Sequence, residues 1–516
     1  MNKDKTLYKS AAWLGMSMII LKILGLLYKV PLSYMLGDEG MGYFNSAYTI
    51  YTFFFMICSA GIPKAIAILT SKYEAERNDS SSDIYNSIYG FFVFSGISMT
   101  FILLIFANKI TRFLSASGSL FSLYSVAPSI LFICASGVIR GYLAGRSSFS
   151  AIAISELISG GGKLVFGLAF AYIGYTLDFS LQIISALTIL GVTIGSGFSF
   201  LYLKRKLKES NYLPHTKAKG TRKILIDILR ISVPITLSSA LVSVSSVIDL
   251  TLIMRGLNKA GYSHLVSTNL YGNYTTLALP LFTVVSTLIG AVCTAIIPSI
   301  SAAYSQNNNL ILRENISNGM RLAYFIAVPS AVMYFFFSKQ ILLTIFDETS
   351  ATLGYAFLSA LAPAILMLAA LSIINSSLEA CQKGNLVLIS LTIGTIAKLL
   401  TTYLLMYRLD VGILASPIGT ALSYGLSLII SFSFAKIYFK FDLISFGNLL
   451  KCVLISLVSL QLTFFLKNHM INISHLRLSS LLTLLFFGVF YIILSAILSK
   501  EWRLFITNYV KINKKN

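Results

Sequence analysis

The sequence predicts an all-α polytopic membrane protein: fourteen transmembrane helices, in two six-helix lobes related by a parallel pseudo-repeat, with two further C-terminal helices. Three observations carry this. The 516 residues are 56% hydrophobic and only 11% charged, and mean hydropathy is +0.79, beyond any soluble chain with a single anchor. Apolar runs of spanning length recur along the whole chain, with short polar loops between them. Basic residues collect in alternate loops, as they do when successive spans cross in opposite directions.

The runs lie at 11–36, 42–70, 84–107, 120–145, 149–173 and 180–203, then at 224–254, 268–303, 317–338, 351–380, 385–406, 413–439, 446–467 and 480–499. Each reaches the roughly 20 residues a bilayer demands. Helices are expected because lipid offers no partner to an unpaired backbone group. With the N-terminus inside, the internal segments hold most of the Lys and Arg, including Lys204, Arg205, Lys206, Lys208, Lys217, Lys219, Arg222 and Lys223. The tail adds Lys500, Arg503, Lys511, Lys514 and Lys515. Both termini are therefore expected in the cytoplasm. The first run is too long for a cleavable signal peptide and precedes no small-residue cleavage site, so none is expected.

The basic stretch 204–223 contains Pro214 and Gly220 and reads as a linker. It separates an N-terminal lobe (1–203) from a C-terminal lobe (224–440), with 441–516 holding the last two helices and the tail. The lobes resemble each other at an offset of 235. Ala127-Pro128-Ser129-Ile130-Leu131 matches Ala362-Pro363-Ala364-Ile365-Leu366, Ile62-Pro63 matches Ile297-Pro298, and Lys163 falls on Lys398. A parallel repeat of this kind usually places its substrate site where the halves meet.

Charge inside apolar runs is the main functional signal, because a charge at the bilayer centre costs roughly 2.5–3.5 kcal/mol on insertion scales. Lys22 and Lys29 stand seven residues apart on nearly one face of the first run. Lys22 is near mid-span, so the pair is expected to face a watery cavity or an anion. Lys64, Arg140, Lys163 and Lys398 are the other basic members, and Glu156, Asp249 and Glu379 the acidic ones. The candidate substrate-binding set is Lys22, Lys29, Arg140, Lys163 and Lys64. The candidate coupling or ion-pair set is Asp249, Lys398, Glu156 and Glu379. Lys64, Arg140 and Glu379 lie near cytoplasmic ends, where a side chain can snorkel to water. Lys163 and Lys398 have structural ion pairs as their alternative reading. Glu156 and Lys163 are too far apart along one face for a tight pair, so each is expected to have another partner.

Other patterns narrow the function. Ser159-Gly160-Gly161-Gly162-Lys163 is followed by Leu164, not the Ser or Thr of a phosphate-binding loop. Close helix packing through small residues is the expected role. Cys58, Cys134, Cys293, Cys381 and Cys452 form no CxxC pair, and His215, His264, His469 and His475 lack ligand spacing. No cofactor or metal centre is expected. The net charge of +21 follows from topology and contact with anionic lipids, and nucleic acid is not an expected partner. No loop outside the linker could hold a soluble domain, which argues against an enzyme.

Lys22-Ile-Leu-Gly-Leu-Leu-Tyr28-Lys29-Val-Pro31, then Leu36-Gly-Asp-Glu-Gly-Met-Gly42, a Tyr-rich second helix and Ser59-Ala-Gly-Ile-Pro63-Lys64-Ala65 resemble the stage V sporulation protein B branch of the polysaccharide transporters. These belong to the multidrug/oligosaccharidyl-lipid/polysaccharide flippase superfamily, which includes lipid II flippases. The resemblance implies a V-shaped transporter that alternates between inward- and outward-open states. It implies an undecaprenyl-pyrophosphate-linked sugar as cargo, a cationic cavity with Lys22 and Lys29 among its cations, and a lipid-tail groove formed by the last two helices. It also implies a cation site using an acid like Asp249, whose place Lys398 could fill instead. Na+ or H+ coupling stays open. Membrane lipids and cell-wall synthesis enzymes are the expected partners, and peptidoglycan or another surface polysaccharide the expected product. The rival readings are a multidrug cation exporter and a membrane glycosyltransferase or polymerase.

Overall fold

Every apolar run folds as helix, the form in which each backbone N–H and C=O finds its partner within the segment. The computed structural model describes residues 2–59, 61–75, 81–146, 148–209, 221–306, 308–381, 383–439, 446–470 and 476–498, and no strand occurs among them. The chain divides into two compact units. The first holds Met1–Thr276 and Thr402–Ile413, the second Leu277–Thr401 and Leu414–Asn516.

In the first unit, α1 (Asn2–Ser59) is followed by α2 (Gly61–Ala75), α3 (Ser81–Phe113), α4 (Leu120–Val126) and α5 (Ser129–Gly145). Then come α6 (Phe149–Thr176), α7 (Leu181–Glu209), α8 (Thr221–Lys259) and α9 (His264–Asn273). α1 holds the first apolar run and the second as far as Ser59, the rest of the second lying on α2. The two runs join directly at Gly37, whose φ of 60° and ψ of −174° interrupt the helix; a left-handed φ suits a residue without Cβ. A π-helical turn, Tyr274–Ala278, follows α9.

The second unit contains α10 (Leu279–Ser305), α11 (Asn309–Phe336), α12 (Ser338–Ile345) and α13 (Glu348–Ala380). It also holds most of α14 (Gly384–Tyr407), and α15 (Ala415–Phe439), α16 (Phe446–Met470) and α17 (Leu476–Leu498). α13 is its centre, burying Leu358, Leu361, Ile365 and Ile374 against its neighbours. α16 and α17 pack on α11 and α12 through Phe337, Leu460 and Phe487. Polar groups within this apolar bundle are answered locally. Ser431 Oγ donates to Asn375 Oδ1 at 2.8 Å and lies 2.7 Å from Ser390 Oγ.

Eleven helices among the described residues are long and apolar enough to cross a membrane, or twelve when the bent pair Ser117–Val126 and Ser129–Gly145 counts as one span. The expected runs 11–36 and 42–70 meet in one counted span, Leu27–Thr70, on α1 and α2. The run 224–254, on α8, includes side chains outside the described residues and is not among them. The stretch expected to be a linker begins as the last turns of α7, where Arg205 and Lys206 pair with Glu209 at 2.9 and 3.6 Å. Residues 210–220 and the tail from 499 lie outside the described residues.

One core of the first unit lies where α2, α3, α5, α6, α7 and α8 meet, around Ile66, Ile88, Val138, Tyr142, Leu203 and Ile228. Elsewhere it packs backbone on backbone. A Cβ on Gly162 would meet Gly195 Cα at 2.6 Å, and one on Gly195 would meet Ser159 O at 2.5 Å. Within the triple glycine, Gly162 therefore serves the α6–α7 contact, as small residues do between membrane helices, while Gly160 makes room for Leu21 of α1. Gly195→Val should lower the thermal midpoint in detergent, with a cost of about 1–3 kcal/mol from overpacking. Gly161→Ala, where a Cβ meets nothing within 4 Å, should leave the midpoint unchanged in the same fluorescence melt.

Candidate functional site

Two cations in the first unit meet the conditions expected of a buried anion site. Lys29 lies on α1 between the polar residue Asn45, further along the same helix, and the π-helical turn. Its Nζ donates to Asn45 Oδ1 at 3.2 Å and to Thr275 O at 2.7 Å. The second acceptor has a sequence cause. In π-helical geometry the donor for Thr275 O would be the N–H five residues on, and that residue is Pro280, which has none. The carbonyl is left to the lysine. The Asn45 amide is held in the orientation that presents its oxygen, because its Nδ2 donates to Thr276 Oγ1 at 2.8 Å.

Lys163 enters from α6. Its Nζ stands 4.1 Å from the ring centroid of Tyr48 and 5.5 Å from that of Tyr28, within the range for attraction to an aromatic face. Gly167, one turn on, makes room for Tyr28, since a Cβ there would meet its hydroxyl at 2.4 Å. Lys29 and Lys163 are near enough to interact electrostatically. Neither makes an ion pair among the described residues.

Close approach of α1 and α9 sets this geometry. A Cβ on Gly42 would meet Thr268 O at 2.4 Å, and one on Gly272 would meet Asp38 O at 2.3 Å. Asn273 Nδ2 donates to Asp38 Oδ2 at 3.2 Å, and the hydroxyls of Thr49 and Tyr271 lie 2.9 Å apart. Without the two glycines the helices would stand further apart, and the lysine would fall short of Thr275 O.

Phe44, Tyr48, Tyr51 and Phe55 then form a ladder along one side of α1, with successive centroids 5.9, 5.5 and 5.9 Å apart. At its far end is a second polar cluster. Arg140 Nη1 donates to Glu156 Oε1 at 2.5 Å, and Nη2 donates to Ser199 Oγ at 3.1 Å. Their side chains are 17% and 32% exposed. Beside them is a cavity of about 30 Å³, lined in part by Tyr51, Phe55, Ser136 and Ser196. That is roughly the volume of one water. Glu156 and Lys163 each have a separate partner, as their spacing on α6 implies.

The remaining sequence candidates lie on α1, α2, α8, α13 and α14. The Lys22 side chain lies outside the described residues, although its backbone is part of α1. Lys64 on α2 and Glu379 on α13 are exposed. Asp249 on α8 is buried and interacts electrostatically with Tyr271. Lys398, in the second unit, is half-buried on α14. Asn45, Tyr48 and Thr275 were not singled out from sequence. Asn45 in an apolar run and Pro280 close after two threonines are the signals that could have found them.

Comparison with known proteins places this arrangement. Residues 7–304 match the polysaccharide biosynthesis protein family, and residues 234–404 match the MatE family. The chain is 22% identical to stage V sporulation protein B of Bacillus subtilis (strain 168) over 412 residues, 78% of each chain. It is 23% identical to the lipid II flippase MurJ of the same organism over 435 residues, 80% of each. Among solved structures, an inward closed conformation of lipid II flippase MurJ aligns with a TM-score of 0.74 and 16% identity, over 95% of this chain and 99% of that one. An inward-facing multidrug resistance MATE family transporter gives 0.68 and 16%, over 84% and 98%.

The Arg140–Glu156 contact yields a measurable expectation. Arg140→Leu and Glu156→Leu should each destabilise more than the double substitution, because each single change leaves one charge in an apolar setting. A double-mutant cycle on thermal stability should give a coupling of about 1–3 kcal/mol. Simple additivity would show that the pair contributes nothing.

Proposed function

The chain belongs to the polysaccharide biosynthesis protein family, and on that premise we propose that it is a flippase for an undecaprenyl-pyrophosphate-linked sugar, working by alternating access. One observation carries the reading. Lys29 and Lys163 sit within membrane-spanning helices, and their contacts are an amide oxygen, a carbonyl and aromatic faces. Such groups solvate a cation without neutralising it. The positive charge is therefore available to an anion with at least two negative charges, and a pyrophosphate meets that need. Lysine offers it a point charge, without the planar fork of arginine.

The chemistry required is transfer, with no bond made or broken. A charged head group crossing lipid alone would carry the full desolvation cost of its phosphates. Two ammonium groups would offset part of that cost while the prenyl chain stays in the bilayer. The relatives support the same class, one being named a lipid II flippase and another a sporulation protein. A MATE-like exporter of cations has a similar fold, but two uncompensated lysines would repel its cargo. The membrane would be the bacterial cytoplasmic membrane, with both chain ends inside.

Two experiments test this. In proteoliposomes carrying a fluorescent lipid-linked sugar, Lys29→Ala and Lys163→Ala should each cut head-group translocation by about tenfold or more, the loss of one ionic contact worth about 1.4 kcal/mol or more. Lys29→Arg should retain part of it. Wild-type rates in the double alanine variant would remove the anion site. For orientation, a membrane-impermeant thiol reagent should tag a cysteine placed at 255–265 and miss one at 204–223. The reverse pattern would invert the topology.

A further inference from the structure

The helical segment of α1 after Gly37 has a second functional face. Tyr48, Tyr51 and Phe55 lie on one side of it, and Ile50, Phe53 and Phe54 lie on the other, following the roughly 100° turn per residue of an α-helix. This second side forms one wall of a groove of about 520 Å³. Ile102, Phe106, Ile110 and Phe113 of α3 form the opposite wall, and Val247 of α8 contributes to the lining. The volume is within the range of pockets that hold one small ligand, roughly 300–1,000 Å³.

The groove is apolar along its length and cationic at one end. Lys109 lines that end, with its Nζ 5.6 Å from the Phe106 centroid. The Arg255 guanidinium lies 4.6 Å from the Phe113 centroid and donates through Nη2 to Phe113 O. That bond occupies one of its five N–H donors. Lys109 and Arg255 are exposed and make no ion pair among the described residues. None of the lining residues is acidic.

We propose that this groove binds an anionic phospholipid, with an acyl chain between α1 and α3 and the phosphate at Lys109 and Arg255. Membrane depth makes hydrocarbon the natural filling. The cations at one end select the head group, each interaction with an anionic lipid surface being worth about 1 kcal/mol. A partner helix or a second copy would need apolar contact along the groove but would leave Lys109 without an opposite charge. The site is separate from the Lys29–Lys163 cluster and does not depend on the cargo, yet both touch the same turns of α1. A lipid seated there would bear on the helix that carries Asn45 and Tyr48.

The test uses the purified full-length protein in detergent, presented with phosphatidylglycerol and phosphatidylcholine of identical chains and read by native mass spectrometry. The wild type should retain phosphatidylglycerol preferentially. Lys109→Gln with Arg255→Gln should lower that preference, by about fivefold per cation, without changing phosphatidylcholine binding. Lys109→Arg with Arg255→Lys should restore it. Ile102→Trp, at a position 53% exposed, should fill the groove and reduce both lipids. A phosphatidylglycerol with a photoreactive acyl chain should label residues of 102–113 in the wild type. That readout decides the matter even if the glutamine variant fails to fold. Equal retention of the two lipids, an unchanged preference in the glutamine variant, labelling confined to other helices, or a dimer in place of bound lipid would each overturn the proposal.

Discussion

The first unit is organised by the need to hold an ammonium group where water is scarce. Lys29 is tolerated in a membrane-spanning helix because Asn45 and Thr275 O replace part of its hydration. Each acceptor depends on something else. The carbonyl has no π-helical donor, because the residue five positions on is Pro280. The amide is oriented by Thr276. Both are in reach because Gly42 and Gly272 let α1 and α9 approach to backbone contact. A bulky residue at either glycine would leave a lysine with one ligand or none, and an unsolvated charge is among the costliest faults a membrane protein can contain.

The two polar clusters along the aromatic ladder solve the same problem in opposite ways. Arg140 is neutralised by Glu156 and steadied by Ser199. Its opposite charges offset one another, and its polar side chains line a small cavity. Lys29 and Lys163 are solvated only by dipoles and ring faces. Their field persists, and low dielectric strengthens it. Electrostatics therefore separates an ion pair from a candidate binding site, although both are built from charged side chains on helices of the first unit. Charge alone does not separate Arg140 from Lys29; the carboxylate of Glu156 beside Arg140 does.

Much of the fold was legible because lipid leaves little choice. Hydropathy marked where helices must lie, and every apolar run is helical. The site was legible only in its charges. Lys29 and Lys163 stand out against apolar neighbours, so the search for expensive residues finds them. Their ligands do not stand out. Thr275 contributes a backbone oxygen, which any residue has, and it comes from 246 residues away. Tyr48 is one aromatic among many. The Arg140–Glu156 pair crosses between α5 and α6, and its register depends on how Gly162 and Gly195 nest α6 against α7. Such contacts depend on tertiary packing, for which periodicity gives no rule. Lys64 and Glu379 also interrupt apolar runs, and both side chains are exposed.

The helical segment of α1 beyond Gly37 connects these elements. Its N-terminal joint is a single glycine with φ of 60°, so the segment can pivot there without stretching a helical hydrogen-bond ladder. Its polar side carries Asn45 and Tyr48, ligands of the two lysines, and its apolar side carries Ile50, Phe53 and Phe54. Any rotation or tilt about Gly37 therefore changes the lysine site and the apolar groove together, because one rigid helix forms a wall of each. An anion that drew Lys29 away from Asn45 would release one of the contacts holding this segment against α9. The Thr49–Tyr271 and Asp38–Asn273 contacts would then have to hold the α1–α9 seam with less help. The contacts that stabilise half-buried Lys29 are thus the ones an anion bound at that lysine would weaken, so the proposed site and the α1–α9 seam are energetically coupled.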